Sequence, residues 1–186
     1  EWWIRFYESV KAARIDKARR LPQIKLREHQ FEASKIGLDV TLENGKIILP
    51  TGTGKTLIEA EIIRRTITKN RTQNIIVIKV NASRILLCFQ LFEEVFHYLN
   101  RYKISAKYIN FNSGKADDRF YTTELRKLGG VYREIESTTS PKEVERIYKQ
   151  CSQEGIPLII FSTYHSSVKF SLSKVVPTLT IHDEAH

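Results

Sequence analysis

Scarcities bound this chain before any motif does: it has no methionine, two cysteines, five prolines and eight glycines in 186 residues. Cys88 and Cys151 fall in helix-like stretches without Cys-x-x-Cys spacing, so neither a disulfide framework nor a zinc site is indicated. A reducing compartment, cytoplasmic or nuclear, is the default expectation. No apolar run is long enough to span a bilayer, and the opening Glu1-Trp2-Trp3-Ile4-Arg5 is too broken by charge for a signal peptide, so no membrane role is expected. Repeats and low-complexity tracts are also missing. Acidic groups are the minority, 21 against 30 Lys and Arg, which gives a net charge of +9. Such a balance meets the electrostatic requirement of a nucleic-acid binder, although solubility alone is the bland account of it. A hydrophobic content of 41% is enough for one buried core. The absence of methionine, and a last residue that also completes His182-Asp183-Glu184-Ala185-His186, lead us to expect a portion of a longer protein.

What the chain has is a repeated alternation. Apolar, β-branched runs at 46–49, 74–80, 106–110, 157–162 and 178–182 are separated by helical patterns at 55–69, 84–99 and 141–152. Strand runs without inner alternation are buried on both sides, so the pattern predicts an α/β fold: a parallel sheet with helices on both faces. Residues 28–43 also read as helical, stopped by the Asn44-Gly45 turn. Residues 1–22 carry apolar Trp3, Phe6, Tyr7, Val10 and Ile15 and basic Lys11, Arg14, Lys17, Arg19 and Arg20 in a spacing that suits an amphipathic helix, read as an accessory helix rather than a nucleic-acid arm, before a domain at 23–186. A polar stretch at 112–140, broken by Gly129-Gly130, is expected to be a mobile excursion from the sheet over at least a part of its length. Within it Asp117-Asp118 reads as a solvated turn, and Gly114-Lys115 lacks the strand and helix of a phosphate loop. Ser140 and Pro141 form a sound helix start.

Two strings carry chemistry. Leu49-Pro50-Thr51-Gly52-Thr53-Gly54-Lys55-Thr56 lies between an apolar run and a helical one, the context in which a glycine-rich turn cradles phosphates. Gly52 and Gly54 let successive N–H groups face inward, and the helix starting near Lys55 adds the positive end of its dipole. Lys55 would reach the β- and γ-phosphates of ATP, with Thr51 and Thr53 in the turn, and the Thr56 hydroxyl would ligate Mg²⁺. The second string, His182 to His186, follows Leu179-Thr180-Ile181 and so puts two carboxylates at the C-terminal edge of a sheet. Asp183 would hold Mg²⁺ through its water shell, and Glu184 would act as general base toward the attacking water. Either string alone has an ordinary reading, above all the acidic one as a solvated turn.

Together, and with three further segments, they make the chain resemble the first RecA-like motor domain of a superfamily 2 DEAH-type helicase or translocase. Leu26-Arg27-Glu28-His29-Gln30 is similar to the family's L-R-x-x-Q element, which assigns Arg27 and Gln30 to adenine. Ser83-Arg84-Ile85-Leu86-Leu87-Cys88-Phe89-Gln90 resembles motif Ia, with Ser83 where the family usually has proline. Phe161-Ser162-Thr163-Tyr164-His165-Ser166-Ser167 looks like an element of helicases related to type III restriction subunits. The generic phosphate loop has a glycine where this chain has Leu49, and the superfamily lacks it too.

The resemblance implies ATP and Mg²⁺ as ligands, with nucleic acid, DNA rather than RNA, as partner. It further implies Arg84, Thr163 and Tyr164 on the nucleic-acid backbone over the opposite rim, His186 as the link between the two ligands, and a second RecA-like domain in cis that supplies an arginine finger. A non-catalytic nucleic-acid-binding or assembly module that retains a nucleotide as a structural ligand is the alternative, and Lys55, Asp183 and Glu184 argue against it. A phosphate-loop enzyme unrelated to nucleic acid is a third reading, disfavoured by 83–90 and 161–167.

Overall fold

Val77–Ala82 (β1), Lys107–Phe111 (β2), Ile135–Thr138 (β3), Leu158–Thr163 (β4) and Leu179–His182 (β5) pair in one sheet. Its order is β3-β2-β4-β1-β5 and every pairing is parallel. The computed structural model describes residues 24–38, 45–50, 52–70, 75–113 and 135–183. The predicted helix of residues 1–22 lies outside them.

Helices cover both faces, as a parallel sheet requires. Lys55–Lys69 (α2) and Ile85–Arg101 (α3) lie on one face, and Pro141–Glu154 (α4) and Tyr164–Phe170 (α5) on the other; Glu28–Ile36 (α1) packs on α2. In α3 the buried residues Cys88, Phe89, Leu91, Phe92, Val95, Tyr98 and Leu99 follow the three-and-four spacing of an inward stripe. They meet Ile78 and Val80 of β1 and Ile159 and Phe161 of β4. The next side chains along these strands, Val77 of β1 and Leu158 and Ile160 of β4, turn to the opposite face and meet Val144, Ile147 and Cys151 of α4. In α4, Pro141 occupies the first turn and Gly155, at φ +66°, ends the helix.

Four of the five predicted strands enter the sheet, and one does not. The run 46–49 forms no strand: Gly45–Pro50 is irregular, and Ile48 is 79% exposed. Its three apolar residues, closed off by Gly45 and Pro50, pair with no strand among the described residues. Ile47 lies instead against the end of α1, where a β-carbon on Gly37 would come within 3.4 Å of it and 2.7 Å of Ile62. The fifth strand is β3, unpredicted, near the end of the polar stretch of which at least a part was expected to leave the sheet; residues 114–134 of that stretch lie outside the described residues. Beside β2 at the sheet's edge it needs only Ile135 buried, so its sequence Ile-Glu-Ser-Thr gives no apolar signal. The helix expected over 28–43 ends at Ile36, before Gly37. The element at 161–167 contributes the end of β4 and the start of α5.

Between α2 and α3 lies a closed charge cluster. Glu61, 3% exposed, accepts from Arg64 Nε (2.6 Å) and Arg65 Nε (2.5 Å) on its own helix and from the Tyr98 hydroxyl (2.8 Å) on α3. Burial pushes its carboxyl up, but these donors together outweigh that and hold it at about 2. Arg64 stacks on Tyr102 at 4.6 Å, and Arg65 on Phe31 of α1 at 4.8 Å.

Candidate nucleotide site

The glycine turn has the backbone it was predicted to need. Gly52 (φ +81°) and Gly54 (φ +82°) are both left-handed, a conformation that favours glycine, and the Thr53 hydroxyl donates to the Pro50 carbonyl (2.7 Å) across the turn. Thr51 lies outside the described residues. Gly54 is also the N-cap of α2, so the free N–H groups of that helix's first turn open beside Lys55 and Thr56, both half-buried. Gly52 has open space where a side chain would point. At Gly54, by contrast, a β-carbon would come within 2.6 Å of Gln30 Nε2.

Gln30 therefore seats the turn. Its side chain is 5% exposed, accepts from the Arg27 backbone N–H (3.0 Å) and donates to the Thr53 carbonyl (2.9 Å); the His29 ring lies 3.3 Å from the same oxygen. The Arg27 side chain is exposed. The two residues that the resemblance assigned to adenine thus flank the phosphate turn, and the glutamine amide ties α1 to it.

Asp183 follows β5 at the C-terminal edge of the sheet. Its N–H donates to the Asn81 carbonyl (2.9 Å), and its carbonyl accepts from the Tyr164 hydroxyl (2.7 Å). The Tyr164 ring stacks on His182 at 5.8 Å, and Asn81 joins the His182 ring (3.3 Å) to the Ser162 hydroxyl (2.6 Å). The peptide of Asp183 is thereby pinned at both polar ends. Glu184 and His186 lie outside the described residues.

Sequence reasoning missed Glu59. It stands one turn beyond Lys55 on α2, and its carboxyl is hydrogen-bonded to that of Asp183. Burial, and then the Asp183 charge, push it up to about 8, with Lys55 pulling the other way. Its Oε2 is buried without a hydrogen-bond partner. The spacing Lys55 to Glu59 was the available signal, since it puts both on one helix face.

The nucleic-acid candidates gather at the same C-terminal edge rather than an opposite rim. Arg84 is exposed just past β1, as the N-cap of α3. Thr163 ends β4, 8% exposed, and its hydroxyl caps α5 by accepting from the Ser166 N–H (3.2 Å) and lies 3.0 Å from the Ser166 hydroxyl. Tyr164 directs its hydroxyl inward to Asp183. Ser167, last of that segment, accepts from the buried Lys79 of β1 (2.5 Å), whose ammonium also lies over the Phe170 ring at 4.5 Å. Burial pushes the Cys88 thiol up to about 12, so it stays protonated and unreactive.

Over residues 23–186 the chain matches the family described as type III restriction enzyme, res subunit. No curated protein matches it. Among solved structures it is similar to a nuclease-deletion mutant of the Type ISP restriction-modification enzyme LlaGI, determined in complex with a DNA substrate mimic. The TM-score is 0.66 at 22% identity, over 88% of this chain and 15% of that one. At such identity the likeness carries the fold, a RecA-like α/β domain, and the chain spans a small part of that protein's length. Among the described residues no helix is long and apolar enough to cross a membrane.

Proposed function

The chain belongs to the type III restriction enzyme res subunit family, and from that premise we propose that it is a motor domain that binds Mg²⁺·ATP and hydrolyses it to move along nucleic acid, DNA in preference to RNA. The observation that supports this best is the meeting of the two predicted strings: the helix that opens at Lys55 brings Glu59 into hydrogen-bond contact with Asp183. Two segments 128 positions apart in sequence thus form one polar edge.

Among the described residues no group of three or more His, Cys, Asp or Glu could hold a metal by itself. Mg²⁺ needs no such cage, because it takes one or two carboxylates and completes its shell with water and substrate phosphates. The oxygen donors present, the Thr56 hydroxyl and the Asp183 carboxylate, fit that habit, and the unpartnered Glu59 oxygen leaves room for more. When bound, the ion would neutralise charge developing on the β- and γ-phosphates.

In this reading the N–H groups of the glycine turn and Lys55 grip the phosphates, and Gln30 keeps the turn in shape. Glu184 takes the proton of the attacking water as its oxygen bonds to the γ-phosphorus; the bond from that phosphorus to the β-bridging oxygen breaks, and ADP and phosphate leave. Exposed Arg84 meets backbone phosphate, which carries position rather than sequence information. Thr163 and Tyr164 act beside it, the tyrosine through its hold on Asp183. His186 links the two sides, and a second RecA-like domain in cis supplies the arginine finger.

The test uses the full-length protein. Lys55→Ala should lose nucleotide binding, whereas Glu184→Gln should keep it and stop hydrolysis. Wild-type turnover in both variants would sink the assignment; a wild-type protein that binds nucleotide but does not turn it over, with or without nucleic acid, would favour the structural-nucleotide alternative.

A further inference from the structure

We propose that Glu59 is a further carboxylate of the divalent-cation site, so that the cation's shell is met from two elements, the helix of the glycine turn and the end of β5. This rests on the nucleotide reading above and adds a residue to it.

Three observations carry the assignment. Glu59 lies one helical turn past Lys55, and side chains on an α-helix lean toward its N-terminus, which here is the phosphate end. Its carboxyl already touches that of Asp183, the residue expected to hold the ion. Its second oxygen is buried and has no donor, whereas both oxygens of Glu61, two positions on, are satisfied. Leaving a buried acceptor unpaired is costly in a folded protein. Two carboxyl groups in contact, one with an unused oxygen, beside a hydroxyl and below a lysine, form an oxygen-only donor set of the kind that Mg²⁺ takes with its waters. A purely structural glutamate at this position would be expected to find a cationic partner, as Glu61 does.

Mn²⁺ serves as the probe, because free Mn²⁺ is read directly by electron paramagnetic resonance. The ion is titrated into full-length protein with a non-hydrolysable ATP analogue, and nucleotide binding is measured separately by fluorescence. Glu59→Gln, isosteric and uncharged, should weaken Mn²⁺ binding at least about tenfold; Glu59→Asp, which keeps the charge on a shorter stem, should weaken it less. If the Gln variant binds Mn²⁺ within twofold of wild type, or if Asp and Gln lose affinity equally, Glu59 belongs to the helix and not to the cation. Should the Gln variant fail to melt cooperatively, the Asp variant decides alone, with wild-type affinity in a folded protein overturning the proposal. A wild-type protein that binds neither nucleotide nor Mn²⁺ would instead bring down the nucleotide reading itself.

Discussion

Glu59 and Glu61 stand two residues apart on α2, and helix geometry turns their side chains about 200° from each other. One faces the end of β5, the other the layer between α2 and α3. The carboxyl of Glu61 receives Arg64, Arg65 and Tyr98 and is held at about 2. That of Glu59 meets another carboxyl, keeps one oxygen unpaired and is pushed up to about 8. Residue type, helix and low exposure are nearly shared, so the partners make the difference. A buried charge whose donors all come from the fold reports on stability, whereas one left short of partners in a cleft is a candidate for chemistry.

The largest expected effect tests the second half of that contrast. Lys55→Ala should lower nucleic-acid-stimulated ATP turnover by ~10²–10³, the scale of losing one placed electrostatic group, while the melting temperature stays near wild type. A large fall in melting temperature would move Lys55 into the structural class.

Glu61→Gln should do the reverse. Removing one partner of a buried ion pair is costly because the others keep their charge, yet both arginine side chains retain 22% exposure and water can reach them. A loss on the order of 2–3 kcal/mol is expected, read by urea unfolding, with nucleotide affinity unchanged in the protein that remains folded. A loss under about 0.5 kcal/mol would make the cluster no better than a surface pair.

Opposite pKa shifts predict opposite pH slopes. Glu61 is lowered from an ordinary value of 4.5 to about 2, so its contribution is present above pH 4.5 and is lost as pH falls through 2. Glu59 is raised from 4.5 to about 8, so its contribution is present below pH 4.5 and is lost as pH rises through 8. Unfolding free energies in chelator at several pH values would show it: Glu61→Gln should flatten the acid limb, and Glu59→Gln the decline between 5 and 8. Curves that keep the wild-type slopes would remove the electrostatic basis of the comparison.

Much of this architecture was legible in sequence because strands buried on both faces must be largely apolar, as 158–161 is throughout and 77–80 is apart from Lys79. The glycine turn was legible for a similar reason: two left-handed positions ahead of a helix leave few alternatives to Gly52 and Gly54. Ile135–Thr138 was hidden because an edge strand can be polar, and 46–49 misled because an apolar run says nothing of whether a neighbour exists to pair with it. Glu59 was hidden by its type, since a glutamate on a helix ordinarily faces water. The hold of Tyr164 on Asp183, and of Gln30 on Thr53, joins residues 19 and 23 positions apart across different elements, and no local pattern encodes it.

The smallest effect is the sharpest test of whether the two regions are separate. Phe31 is 50% exposed and carries Arg65 over its ring at 4.8 Å, one residue after the glutamine that seats the glycine turn. An exposed cation–π contact is worth ~0.5–1 kcal/mol, so Phe31→Ala should cost that much stability. Combined with Glu61→Gln it should be non-additive, since Arg65 belongs to both contacts. Combined with Glu59→Gln it should add to within ~0.3–0.5 kcal/mol, as mutations without shared partners do. Nucleotide affinity should stay unchanged. If Phe31→Ala alone weakens nucleotide binding severalfold, α1 transmits strain from the Glu61 cluster through Gln30 to the turn, and the two carboxylates answer to one network rather than two.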